Sequence, residues 1–291
     1  DATVRAQVMA RLTPNLDRLA KNSAPFLRSF CHSALCGPSR TSLLTGVPAH
    51  LSGYYNHTDQ FRLYPTLQDA VTLPQLLKQN DYFTTGLGKI FHKPSGTVDG
   101  PLEDDWADAR NSWTQWINRP TGCNGGTKSK YSPPDGGLMS FGPSRLKTKE
   151  AADYENADFT ARLLLDGTAT TPPGGRNKDG STATVKLPHD QPFFLAVGIF
   201  RPHLPFHAPQ EFFDLFPTAE MSGLNRANLD AIIADLKDIP PDGMRFSDFG
   251  NGKMKTIMDN ARKIGGAQGE IAAWRELVQA YLACVSFADT C

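Results

Sequence analysis

Three short stretches of the sequence combine residue types that could do chemistry. The first, Cys36-Gly37-Pro38-Ser39-Arg40-Thr41-Ser42-Leu43-Leu44-Thr45-Gly46, sets a thiol shortly before an arginine. Pro38 near its start and Gly46 at its end predict a short helix with Leu43 and Leu44 on the buried side. A reactive group at such a helix start feels partial positive charge, and the neighbouring guanidinium adds a permanent one, so the place favours an anion. The second stretch, Gly88-Lys89-Ile90-Phe91-His92, joins a point charge suited to a tetrahedral anion with an imidazole able to move a proton near neutral pH. It lacks the G-x-x-x-x-G-K-[ST] spacing of a nucleotide P-loop. The third, Arg201-Pro202-His203-Leu204-Pro205-Phe206, stands directly after an apolar run.

These stretches need elements to position them. Thr13 before Pro14 predicts a capped helix of about ten residues, since proline at the first helical position lacks only an N–H that the helix does not use. Residues 72–80 read as another helix and 82–87 as a strand running into Gly88-Lys89. Residues 93–149 are rich in Gly, Pro, Ser and Asn without sustained periodicity, and a loop of that length is expected to shape a site. Helical spacing returns over 151–166 through Tyr154, Ala157, Ala161 and Leu165, after which 167–190 reads as loop. Residues 192–200 form an apolar run suited to a strand covered on both faces, and 268–291 read as a helix through Ile271, Trp274, Val278, Tyr281, Leu282 and Val285. Helices alternating with apolar strands predict an α/β fold, where ligands gather at the carboxyl ends of strands. There is no internal repeat and no compositional linker, so residues 1–291 are expected to belong to a single domain with 93–150 as a loop or insert region.

Composition narrows the function. The chain has 291 residues, with 30 Lys+Arg against 30 Asp+Glu, which argues against a basic nucleic-acid binder. The longest apolar run is far too short for a membrane helix, so no span is expected.

The first stretch fills every fixed position of C-x-P-S-R-x-x-x-L-T-G and so resembles the signature of the formylglycine-dependent sulfatase family. The G-K-x-x-H segment, the P-F-F-L-A-V-G run followed by R-P-H-L-P-F, and Tyr281-Leu282-Ala283-Cys284-Val285-Ser286-Phe287-Ala288-Asp289 extend the resemblance over nearly all of the chain. The resemblance implies an alkaline-phosphatase-like α/β fold, a mixed central sheet with helices on both faces. It implies that Cys36 is oxidised to formylglycine by a formylglycine-generating enzyme, and that the hydrated aldehyde attacks the sulfur of a sulfate ester. Arg40 would hold the diol, Lys89 would grip the sulfate, His92 would hydrogen-bond the diol, and His203 would approach the leaving-group oxygen. The implied substrate is a sulfated sugar or glycosaminoglycan, and the implied location extracytoplasmic.

The same resemblance implies one divalent cation, usually Ca²⁺, held by oxygen ligands. Formylglycine at Cys36 would supply one of them. The family's first Asp-Asp pair would fall upstream of Asp1, and the later Asp-His or Asp-Asn pair is not matched: Asp104-Asp105 lies outside an apolar strand, and Asp259-Asn260 lacks the expected glycine. The sequence therefore reads as an excerpt without most metal ligands. Two other functions stay open, a phosphonate or phosphate-ester hydrolase of the same superfamily and a non-catalytic glycan- or sulfate-binding pseudoenzyme. Setting Cys36 aside leaves Cys31, Cys123, Cys284 and Cys291, compatible with two disulfides or four thiols. Asn56-His57-Thr58 is a glycosylation sequon.

Overall fold

The computed structural model describes residues 10–56, 59–93, 107–117, 120–123, 125–133, 139–171, 182–241, 243 and 253–291. Along the chain these form α1 (Pro14–Lys21), α2 (Cys36–Thr45), α3 (Ala49–Ser52), α4 (Leu73–Gln79) and β1 (Phe83–Gly88). Next come α5 (Ala109–Ser112), β2 (Gln115–Ile117), α6 (Ala152–Asp166), β3 (Thr168–Thr170), β4 (Thr184–Lys186) and β5 (Phe193–Gly198). The chain continues through α7 (Gln210–Asp214), α8 (Arg226–Asp235) and α9 (Lys253–Thr290). Two compact units are distinguished. One, the sheet unit, comprises residues 24–121 and 155–199, and the other, the helical unit, comprises 1–23, 122–154 and 200–291.

In the sheet unit β1 lies between β2 and β5, all parallel. The pairing runs from Phe83 opposite Phe193 to Gly88 opposite Gly198, so both strands end on glycine in register. Those glycines answer a physical need. Gly88 has φ 78°, and a Cβ on it would run into the Gly198 carbonyl, while one on Gly198 would meet the backbone of Lys89. The Lys89 N–H then donates to the Gly198 carbonyl at 2.9 Å, which pins Lys89 to the carboxyl end of the sheet.

Each face of this sheet meets its own cluster. Leu195 and Val197 pack with Leu87, Ile117, Phe159 and Leu163, whereas Phe194 and Ala196 join Leu44, Phe61, Phe91 and Trp113. The alternation is the period of a strand with apolar residues on both sides. Coverage of β5 is incomplete, with Phe193 40% exposed, so the expected strand buried on both faces is only half-buried. The helix read over 72–80 is α4, and it begins on a capping box that the sequence reading did not name: Thr72 accepts the Gln75 N–H at 3.2 Å and the Gln75 side chain returns to the Thr72 N–H.

Other expectations change. Leu44 is buried but Leu43 is 78% exposed, because neighbours on a helix point about 100° apart and a single face of α2 meets the core. Residues 93–149 contain α5 and β2, whose three residues are too few to show a period, and Gly86 is open enough to let Trp113 cross it. Within 167–190, read as loop, Thr168–Thr170 and Thr184–Lys186 pair antiparallel, turning Ala169 and Val185 inward and their flanking residues outward.

The helical unit is organised on α9, in which Gly265 and Gly266 leave helical geometry. Beyond that break Ala273, Leu277, Ala280, Cys284 and Phe287 face a core shared with Phe141, Phe212 and Phe213. Thr13 does not cap α1 with its side chain. The carboxylate of Asp289 does so instead, accepting the N–H groups of Asn15 at 3.0 Å and Leu16 at 2.7 Å. A helix start needs acceptors for its free N–H groups, and here they come from the end of α9.

Candidate functional site

Cys36 is the first residue of α2 and is half-buried. Leu35 before it offers no side-chain acceptor, and the first turn holds no acidic residue. The positive end of this ten-residue helix is therefore not neutralised by a side chain of its own. The Arg40 guanidinium, one turn on, donates through Nη1 to the carbonyls of Lys89 and, at 3.1 Å, Ile90. That tie joins the start of α2 to the end of β1. Lys89 Nζ in turn lies 4.0 Å from Cys36 Sγ.

Two cations and a sulfur thus share a half-buried place. Burial pushes the Lys89 ammonium down from its ordinary range; Cys36 opposes that shift and Arg40 adds to it. Burial also lowers Arg40, with Cys36 opposing. Charges that have given up water gain most from an anion placed between them. With the N–H groups of the α2 start, the arrangement can hold a tetrahedral oxyanion against a group built on the Cys36 side chain. His92 follows in the turn after Ile90 and is partly buried, beyond Phe91 of the aromatic cluster.

His203 belongs to the helical unit, on the turn after β5. Its Nδ1 lies 2.6 Å from the carbonyl of Leu204, and its ring sits against Phe200 with centroids 4.6 Å apart. Beneath it are two residues that the sequence reading did not single out. Asp153, fully buried, accepts N–H groups from Gly122 at 2.7 Å, Phe200 at 3.1 Å and Arg201 at 2.9 Å. Arg201, 4% exposed, donates to the carbonyls of Cys123, His203 and His207. An arginine inside R-P-H was the available signal for the second; nothing local marked Asp153. His207 is buried on Ser140 at 2.9 Å and Gly142 at 2.8 Å, and burial pushes its imidazole below the ordinary range.

All five cysteines are free thiols. Burial raises the Cys123 thiol and pushes that of Cys284 up to about 12, so both stay protonated and unreactive at neutral pH. Asp259 is a partly exposed helix residue paired with Lys255 at 2.5 Å, and Asp104-Asp105 lies outside the described residues. Among the described residues no group of three or more His, Cys, Asp or Glu could hold a metal ion. The described residues do not fit the cation that the resemblance implies, and no step is assigned to one. No helix among the described residues is long and apolar enough to cross a membrane.

Comparison with known proteins agrees with the motifs. The family model described as Sulfatase matches residues 3–291. A sulfatase of Formosa agariphila is 30% identical over 95% of this chain and 48% of its own length. Human iduronate 2-sulfatase is 30% identical over 70% of this chain and 33% of its own. The chain therefore spans about half, or less, of the length of these relatives. Among solved structures, the phosphonate monoester hydrolase of Agrobacterium radiobacter superposes with a TM-score of 0.52 at 18% identity, covering 96% of this chain and 52% of that one. That likeness is one of fold, and it is the α/β fold the motifs implied.

Proposed function

We propose that this chain, which belongs to the sulfatase family, carries the sulfate-ester-cleaving part of a hydrolase acting on sulfated sugars. The observation that carries the reading is the convergence of Arg40, Lys89 and the α2 start on Cys36. In this proposal a formylglycine-generating enzyme, with dioxygen as the oxidant, converts the Cys36 side chain to an aldehyde and releases its sulfur as sulfide, and water hydrates the aldehyde to a geminal diol. One diol oxygen attacks sulfur, the ester oxygen leaves, and a sulfated enzyme forms. The second hydroxyl then loses its proton, sulfate leaves, and the aldehyde returns. Lys89 would balance the charge of the transferring group and Arg40 would fix the diol, since preorganised cations stabilise charge at the moment it develops. His92 is assigned to hydrogen-bonding the diol, and His203 to protonating the leaving oxygen. The name of the iduronate 2-sulfatase relative supports a sulfated sugar as substrate, and the same kinship supports an extracytoplasmic location.

Mass spectrometry of the tryptic peptide 29–40, with turnover of an aryl sulfate and an aryl phosphonate, tests the reading. Formylglycine at Cys36 and preference for the sulfate are expected. A thiol that persists on co-expression with the maturation enzyme would mark a sulfate-binding protein without turnover, and preference for the phosphonate would mark the other ester class.

A further inference from the structure

The loop that carries His203 makes two turn hydrogen bonds, His203 N–H to Phe200 and His207 N–H to Pro205, pairs with residues 140–142 at Phe206, and is braced from inside by two buried charges. One oxygen of Asp153 takes the N–H groups of Phe200 and Arg201, and the other takes Gly122. The Arg201 fork spans the loop: Nη1 reaches the His203 carbonyl at 2.8 Å, Nε the His207 carbonyl at 2.8 Å, and Nη2 the Cys123 carbonyl at 2.9 Å. A carboxylate and a guanidinium withdrawn from water carry a desolvation cost that an apolar pair would not. Here both are spent on the main chain on either side of one histidine.

The imidazole itself is constrained further. A carbonyl has no proton to give, so the 2.6 Å contact of Nδ1 with the Leu204 oxygen requires the proton to sit on Nδ1. The Phe200 ring, tilted 46° against the imidazole with centroids 4.6 Å apart, limits its rotation. We propose that Asp153 and Arg201 are positioning residues that hold His203 as the Nδ1–H tautomer, making Nε2 the atom that exchanges a proton with the substrate's ester oxygen. This rests on the reading of His203 as the proton donor to a sulfate ester. As the bond from sulfur to the ester oxygen breaks, its electron pair goes to that oxygen, which takes the proton from Nε2 of the imidazolium. The ring is left neutral, still donating from Nδ1 to Leu204, and water restores the proton at Nε2.

Long-range proton–nitrogen NMR of the protein labelled in histidine reads the tautomer directly, without turnover. A protonated Nδ1 beside an unprotonated Nε2 in the neutral ring of His203 is expected; protonated Nε2, or a mixture of the two forms, overturns the assignment. Arg201→Lys keeps the charge and loses the fork. It should lower kcat by about tenfold or more on an alkyl sulfate, with KM within about twofold and a smaller loss on an activated aryl sulfate. A folded Arg201→Lys protein with unchanged kcat on both substrates overturns the positioning role. His203→Ala separates the underlying reading: equal losses on both substrates sink the proton-donor role, whatever tautomer the NMR shows.

Discussion

The two groups of candidate residues are held by different means. In the sheet unit Cys36 and Lys89 sit at the ends of regular elements, the start of α2 and the residue after β1, and Arg40 ties those ends together through main-chain carbonyls. In the helical unit His203 sits on a loop whose path is set by Asp153 and Arg201, side chains acting on backbone up to 78 positions away. A motif at the end of an element inherits its geometry from the element. A loop residue must borrow its geometry from buried polar groups, and such a site is sensitive to changes that touch no substrate.

The largest effect should come from the sheet unit and leave its stability alone. Cys36→Ala is expected to abolish aryl-sulfate turnover with a melting temperature within about 2 °C of the parent, since the half-buried side chain contributes little packing. Residual turnover at the parental rate would remove Cys36 from the chemistry. The helical unit should behave in the opposite sense. Asp153→Ala leaves the N–H groups of Gly122, Phe200 and Arg201 without their buried acceptor, and a loss of about 3–5 kcal/mol in urea unfolding is expected. A loss below about 1 kcal/mol would show that water replaces the carboxylate and that the loop is not braced as described.

Smaller effects sharpen the contrast. Gly88→Ala forces a side chain into φ 78° and against the Gly198 carbonyl, so about 1–3 kcal/mol should be lost. Sulfate inhibition should weaken with it, because Lys89 is pinned by the same approach; undiminished inhibition would uncouple Lys89 from the strand end. Asp289→Ala removes the cap that α9 supplies to α1 and should cost about 1 kcal/mol, read as a shift in the urea midpoint. A midpoint unchanged in that variant would mean that solvent serves the α1 N–H groups equally well.

Legibility in the sequence followed the same division. The short helix near Cys36, entered through Pro38 and stopped at Gly46, was readable because proline and glycine act locally, and so was a helix over 72–80, though not the Thr72–Gln75 capping box that starts it. The strand before Lys89 was readable from its apolar run. Strands β2, β3 and β4 were not, since three residues carry no measurable period and their partners are distant in sequence. Leu43 was misplaced because a pattern of two adjacent leucines does not say which of them meets the core.

By itself the sequence determined the family, the thiol at a helix start, the lysine after a strand and the histidine in a proline-bounded turn, because each is a matter of residue type and short spacing. The tertiary structure alone decided that Arg40 reaches across to the end of β1, that Gly88 and Gly198 must both lack side chains, and that Asp289 rather than Thr13 caps α1. It alone placed Asp153 and Arg201 beneath His203. Each of these depends on which backbone groups folding removes from water together, and buried donors and acceptors take whatever partner the packed chain brings to them.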